Sequence, residues 1–523
     1  MKPNAKTGKS TIVCALLAAL LGAGPARAAD GVDPEAWNAL VRKYDKTSAS
    51  QDVPPPPISD DAAIRDGNWA ALAGKYDNEY AGADSDGAEL SPETLRDWFA
   101  RMDGKTMTSL VMRAFANNRS LASARARVLE ARAALGISRA AALPWLDNTD
   151  SWTYNQPSDN AAQKGELSKV AKLGIDASWE IDIFGGQRLK TEAAEANLES
   201  SYASLHAAWV TLSSEVALNY TSFCTLQERL AIAERNLALQ EETLSILTAQ
   251  YESGLRDSLA MNQAKYTAEQ TRASIPPLKA SMESALNALA ILTGDVPGKL
   301  EGFLRERHGL PKLFAEDEFT GIPANAIRQR PDIRAAERAL AAQIALRKSA
   351  ELDLKPKFFL IGSIGLETLS GGNLFSGDSI GFSFGPRITL PIFHGGAIRK
   401  NIQAQTAREE QLLAEYEGAV LAAVAEVRNA LAAGAQEEER NKSLRAGIEA
   451  ARSALEIASD RYRSGLTDFN NVISAQAALL SLEDALVVSD GQMTGNVIRI
   501  FKALGGGWGP LSEENSGETA DTR

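Results

Sequence analysis

The chain has 523 residues, with 55 basic and 67 acidic side chains for a formal net charge of −12, three histidines and two cysteines. This balance excludes nucleic acid and anionic lipid as partners and suits an acidic cavity that favours cations. His206, His308 and His394 share no ligand spacing with each other or with Cys224, and no phosphate-binding loop, G-x-S-x-G or H-E-x-x-H motif occurs. No metal, no cofactor and no enzyme activity are therefore expected.

In chain order, the first segment is a targeting signal over residues 1–28. Lys2, Lys6 and Lys9 precede an uncharged apolar stretch from Thr11 to Gly24, and Ala26-Arg27-Ala28 offers a small-x-small cleavage site. Cys14 lies inside that apolar stretch behind Val13, which is not the setting of a lipidation site. Its removal leaves Cys224 as the single cysteine, so no internal disulfide forms. Removing the four basic residues of the signal takes the net charge to about −16. Residues 29–100, with four consecutive prolines at 54–57 and many Asp and Gly, read as an N-terminal arm or linker. No uninterrupted apolar run long enough to span a bilayer, which takes roughly 18 residues, follows the signal, so membrane entry by apolar helices is not expected.

The rest of the chain is written twice. YESGLRD at 251–257 returns as YRSGLTD at 462–468, and Pro144/Pro356, Phe184/Phe393 and Arg119/Pro331 keep nearly the same offset in the same order. Residues 101–300 form the first repeat, 301–322 a linker, 323–508 the second repeat and 509–523 a polar, disordered tail. Each repeat opens with a helical stretch (about 105–142 and 323–353), followed by a β-hairpin (about 145–183 and 357–392). The strand assignment rests on period-two alternation. Leu173, Ile175, Ala177, Trp179, Ile181 and Ile183 alternate with Gly174, Asp176, Ser178, Glu180 and Asp182, and residues 380–392 repeat the pattern.

A very long helix follows, about 187–252 in the first repeat, then the SGL turn, then a returning helix (about 258–293 and 469–504). The long helix carries a heptad seam: Leu198, Leu205, Leu212, Leu226 and Leu247 on one register, Tyr202, Trp209, Val216, Phe223, Leu230, Leu237, Leu244 and Tyr251 on the other. Such a helix is roughly 100 Å long, beyond the diameter of any compact domain.

Alternating strands of about ten residues suit an outer-membrane barrel, and such barrels begin at about eight strands. Four strands cannot close, and an open edge in lipid leaves backbone groups unpaired. Three copies would supply twelve strands. The helices then pack into a tube continuing the barrel, with the SGL turns as six far tips and Gly254 and Gly465 in the left-handed conformation that reverses a hairpin.

WEIDIFGGQR at 179–188, RQRPDIRAAE at 328–337, LPIF at 390–393, YRSGLTDF at 462–469 and ALGGGW at 503–508 resemble the signatures of the outer membrane efflux protein family, TolC-like, in the NodT subgroup serving resistance-nodulation-division pumps. The resemblance implies an α+β membrane protein: a homotrimeric twelve-stranded barrel in outer-membrane lipid, continued by a periplasmic α-helical barrel with an equatorial belt. It implies a passive gated exit duct for small molecules, working with a periplasmic adaptor and an inner-membrane pump. A duct for type I protein secretion uses the same architecture and is the rival reading.

If the tube narrows at its tips, Tyr462, Arg463, Asp468 and Asp257 are placed to hold it shut through polar links, and the resemblance puts a gate tyrosine at Tyr462. The arginine that some members carry five residues later is Thr467 here. The competing account is that Tyr462 and Tyr251 end the seam and the aspartates are solvated turn residues. Ser253, Gly254, Leu255, Ser464, Gly465 and Leu466 resemble the tip motif that docks the adaptor, against a packed helix cap as the alternative. Trp145, Trp152, Tyr154 and Trp179 fit either an interfacial aromatic belt or structural packing.

Overall fold

The computed structural model describes residues 92–103, 105–158, 160, 167–255, 257–304, 309–311, 329–369 and 373–506. The targeting signal, most of the arm, the linker over 312–322 and the polar tail lie outside the described residues.

The duplication is exact in the length of its three helices. Helix α3 (Arg119–Ala140, 22 residues), β1 (Trp145–Asn155), β2 (Ser168–Ile181), α4 (Gly186–Glu252, 67 residues) and α5 (Ser258–Leu292, 35 residues) form the first set. Helix α6 (Pro331–Leu352, 22 residues), β3 (Lys357–Leu369), β4 (Ile380–Thr389), α7 (Ala397–Arg463, 67 residues) and α8 (Phe469–Ala503, 35 residues) form the second. Two short helices precede them, α1 (Pro92–Asp103) and α2 (Thr106–Asn117).

Three boundaries differ from the sequence reading. The stretch expected as one helix over 105–142 breaks at Asn118, which leaves helical dihedrals and caps α3 by accepting a hydrogen bond from the Leu121 amide at 2.9 Å. Residues 92–100, assigned to the arm, begin α1. Leu95 and Phe99 are fully buried and Trp98 stacks on Phe501 at 3.8 Å between ring centroids. That short apolar face was hidden by the Pro, Gly and Asp content of the window around it. Strand β2 starts at Ser168, before the alternation becomes clean at Leu173, because its ladder to β1 continues to Asn155.

The four strands form one antiparallel sheet in the order β1-β2-β3-β4. Its central ladder, Val170↔Leu369 to Ile181↔Phe358, joins the two repeats. Residues paired across antiparallel strands share a face, so the register sorts every side chain. One face carries Leu173, Ile175, Ala177, Trp179 and Ile181 of β2, Phe358, Leu360, Ile364 and Leu366 of β3, and Ile380, Phe382, Phe384 and Ile388 of β4, while β1 brings Leu146, Trp152 and Tyr154 to it together with the polar Asn148 and Asp150. The other carries Asp147, Asp176, Ser363 and Ser383 in one row, with Gly174, Gly365 and Gly381 in the next.

The main core lies where α1, α2, α3, α4, α5 and α8 meet. Every seam residue of α4 named above from Leu198 to Leu247 is buried or half-buried, and only Tyr251, at the tip, is exposed. The second repeat is different. Leu413, Leu421, Val424, Leu431 and Ile457 of α7 are exposed, and α7 and α8 are apolar enough by composition to meet the length and hydropathy of a membrane span.

Twin anchors tie each returning helix to the start of its repeat. The Asn118 amide donates to the Leu292 carbonyl at 2.9 Å, and the Arg330 guanidinium donates to the Ala503 carbonyl at 2.8 Å. Each helix then turns through a left-handed glycine, Gly294 (φ 73°) and Gly505 (φ 82°). A Cβ on Gly294 would lie 2.4 Å from the Asn117 carbonyl, and one on Gly505 would lie 3.1 Å from the Arg330 Cα, so both glycines allow the close approach that the anchors need. Arg330 is nearly buried and also pairs with Asp332 at 2.7 Å and Glu426 at 2.8 Å. Arg330→Ala leaves the Ala503 carbonyl, Asp332 and Glu426 without their partner, and is expected to cost about 2–4 kcal/mol, read as a lower melting temperature in detergent.

Asp295, at the end of the first anchor, accepts from Arg113 at 2.7 Å, and that bond, with help from Lys299 and Thr293, holds its carboxyl down at about 2. A carboxyl with a depressed folded-state value stabilises fully above the unfolded value of about 4 and loses that contribution as pH falls through 2. Asp295→Asn should lower the melting temperature at neutral pH and flatten its fall between about pH 4 and pH 2.

Candidate functional site: the hairpin tips

Both tips are built by the same cap. At the end of α4 the Leu255 amide donates to the Gln250 carbonyl at 2.9 Å and the Gly254 amide to Tyr251 at 2.9 Å, with Gly254 at φ 70°. At the end of α7 Leu466 donates to Arg461 at 2.9 Å and Gly465 to Tyr462 at 3.0 Å, with Gly465 at φ 69°. This paired six-to-one and five-to-two pattern is the Schellman motif, which satisfies the last carbonyls of a helix. The serine hydroxyls bond back into the helices, Ser253 to the Ala249 carbonyl at 2.7 Å and Ser464 to Asp460 at 2.9 Å.

The motif is usually closed by an apolar contact from the residue after the glycine back to the helix. Here that residue is Leu255 at 76% exposure and Leu466 at 77%. Neither leucine is packed as a cap, and each projects a large apolar side chain at the apex of a hairpin.

The four residues expected at a gate each have different surroundings. Asp257 caps α5, accepting from the Leu259 amide at 3.1 Å. Asp468 stands at the equivalent position before α8, yet its side chain makes no capping hydrogen bond. Arg463 is exposed and lies 3.5 Å from Asp460 on its own helix, not from either tip aspartate. Tyr462 is half-buried, with its ring 5.1 Å from that of Phe469.

The sequence marks Phe469 as the residue that ends the second tip phrase where the first has Ser258, without giving it a role. It is buried in a cluster with Leu247 and Ala264 of the first hairpin, and Tyr462, Leu244 and Ala260 pack around it. Tyr462 thus belongs to an apolar plug between the two hairpins. Of the candidate aromatics, Trp152, Tyr154 and Trp179 lie on the apolar face of the sheet, while Trp145 pairs with Ser178 on the other.

No group of three or more His, Cys, Asp or Glu side chains among the described residues is arranged to hold a metal. His394 lies in the turn between β4 and α7. His206 stacks on Trp209 at 5.1 Å, and burial, reinforced by Arg334, pushes its imidazole down to about 4, so it is neutral and structural.

A sheet with one apolar face, set at the head of two helical hairpins of equal length, defines an outer-membrane channel protein of the strand-and-hairpin type. The family model described as outer membrane efflux protein matches residues 110–295 and 322–506, and the chain belongs to that family. It is 32% identical to Outer membrane protein OprJ of Pseudomonas aeruginosa over 82% of this chain and 89% of the relative. It is 29% identical to the Toluene efflux pump outer membrane protein TtgF of Pseudomonas putida over 81% of this chain and 88% of the relative. The solved outer-membrane channel OprN superposes with a TM-score of 0.75 at 31% identity, over 81% of this chain and 94% of that one. The chain is therefore the outer-membrane channel component of an efflux system, with its helical hairpins in the periplasm.

Proposed function

We propose that three copies close a twelve-stranded barrel continued by a helical tube, and that this trimer is the passive, gated exit duct of a tripartite pump for small molecules. The observation that carries the reading is the sheet itself. β1 and β4 are edge strands of an apolar-faced sheet, and in hydrocarbon an open edge leaves a row of backbone groups unpaired. Pairing β4 of one copy with β1 of the next removes every edge. The apolar face then meets lipid and the row of Asp147, Asp176, Ser363 and Ser383 lines the lumen. From the level of Tyr154, paired with Lys169, to Trp179 the strand advances ten residues. That is about 33 Å along the strand and about 25 Å along the membrane normal at a 40° tilt, the height of the apolar band of such barrels. The exposed leucines and Val424 of α7 supply the matching surface between helices of neighbouring copies.

The tips are the closed end and the docking end. Leu255 and Leu466 fit apolar grooves on the hairpins of a periplasmic adaptor, which links the duct to an inner-membrane pump that selects the cargo. Tyr462 and Phe469 plug the second hairpin against the first, and Asp468, free of capping duty, is available to line the constriction. No observation favours protein secretion.

Replacing Tyr462 and Asp468 together by alanine is expected to raise the single-channel conductance of purified trimers in planar bilayers; unchanged conductance would refute a gate at the tips. Leu255→Asp with Leu466→Asp should abolish drug resistance in a deletion strain while trimer abundance stays normal, since exposed substitutions cost within about 0.5 kcal/mol. Intact resistance would rule out docking through these leucines.

A further inference from the structure

We propose that a serine-lined cleft between α3 and α4 is a binding site for a carboxylate or phosphate group, by which the duct holds anionic cargo part-way along its wall. The proposal rests on the reading of the chain as an exit duct. The cleft has a volume of about 420 Å³, within the range of small-molecule sites. Ser120, Ser123 and Arg127 of α3 line one side and Ser200, Ser201 and Ser204 of α4 the other, over a floor of Leu205 and two alanines. No acidic side chain lines it.

Two of the serines are committed to the fold. Ser200 donates to the Ala335 carbonyl at 2.8 Å and Ser201 to the Asn197 carbonyl at 2.9 Å. Ser120, Ser123 and Ser204 make no hydrogen bond, and Arg127 no ion pair, among the described residues. Other arginines flanking α4 are paired, Arg139 with Glu195 at 2.9 Å and Arg338 with Glu199 at 3.4 Å. A guanidinium presents only donors, in a planar fork that matches an oxyanion, and a serine hydroxyl rotates to donate beside it. Ser120 also lies in the first turn of α3, where the backbone amides carry partial positive charge.

The cleft opens on the wet side of α4. On the opposite side Ala203, Val210 and Ala217 are buried, and a Cβ on Gly506 would lie within 3.3 Å of both Val210 and Leu95 of α1, so that side is covered. Asn197, Ser204, Glu215 and Asn219 follow one another along the cleft side and reach solvent. In the proposed duct this polar row is the wall of the lumen, and cargo on its way to the exit passes the cleft. The duplication does not copy it. In the equally long helices α6 and α7, Asp332, Ala339 and Glu415 stand where α3 and α4 have Ser120, Arg127 and Ser204. Carboxylates there replace hydroxyls and the guanidinium is lost, which repels an anion, so the site belongs to the first repeat alone.

Saturation-transfer NMR on the full-length protein in neutral detergent tests the site, with fumarate as the carboxylate probe and inorganic phosphate as competitor. Wild type is expected to give a saturable fumarate signal. Arg127→Gln should weaken binding about tenfold, the worth of one charge-assisted hydrogen bond, and Ser123→Ala with Ser204→Ala should weaken it by about the same factor. Arg119→Gln, on the same helix but outside the cleft, should bind like wild type. Displacement by phosphate upholds a site for small oxyanions in general, and fumarate that stays bound upholds a site for carboxylates. Absence of a saturable signal, Arg127→Gln binding like wild type, or an equal loss in Arg119→Gln would overturn the proposal. The particle mass of each sample is measured alongside. A monomer that binds fumarate removes the duct and leaves the cleft; a trimer that does not bind removes the cleft and leaves the duct.

Discussion

The ladder between β2 and β3 is the contact on which the rest of the structure depends. Among the described residues it is the one strand pairing that crosses the duplication, and its register from Val170↔Leu369 to Ile181↔Phe358 sets the two repeats at one height. Helices of 67 and 35 residues then run down from equivalent points, so both hairpins reach the same level and present the same cap. A slip of one residue would turn every side chain of one strand pair to the wrong face and mix the apolar and polar rows. Gly365 meets Gly174 at the middle of this ladder, where a Cβ on Gly365 would lie 2.4 Å from the Leu173 carbonyl.

Equal lengths did not produce equal halves. The first repeat buries its heptad seam within the chain, against α1, α2, α5 and α8, whereas α7 of the second leaves Leu413, Leu421 and Leu431 exposed and Leu412, Leu444 and Leu455 half-buried. The anchors follow the same division: a neutral amide at Asn118 closes the first hairpin at its base, and a charged guanidinium at Arg330 closes the second with two carboxylates beside it. The aromatic plug at the tip belongs to the second hairpin.

The tips show how a shared local motif separates structure from interaction. Hydrogen bonding alone completes the Schellman cap at both ends, so the two leucines are free of the role they usually have in that motif. Asp257 and Asp468 diverge in the same way, one consumed by capping and the other not. Identical backbones thereby carry different surfaces.

By itself the sequence determined everything that repeats with a short period. The odd and even rows of residues 173–183, the heptad of α4, the left-handed glycines at 254 and 465 and the offset between the two copies of Tyr-x-Ser-Gly-Leu-x-Asp each encode a local geometry, and the sheet faces, long helices and hairpin tips follow from them. Pro331 opening α6 at its first position is legible for the same reason. Only the tertiary structure decided which distant residues meet. Asn118 and Leu292, Arg330 and Ala503, and Arg229 and Asp484 lie 173 to 255 positions apart. Phe469 finds Leu247 across two hairpins. Contacts of that separation leave no periodic trace in the chain, because what brings them together is the packing of whole helices and not the preference of any residue for its neighbours.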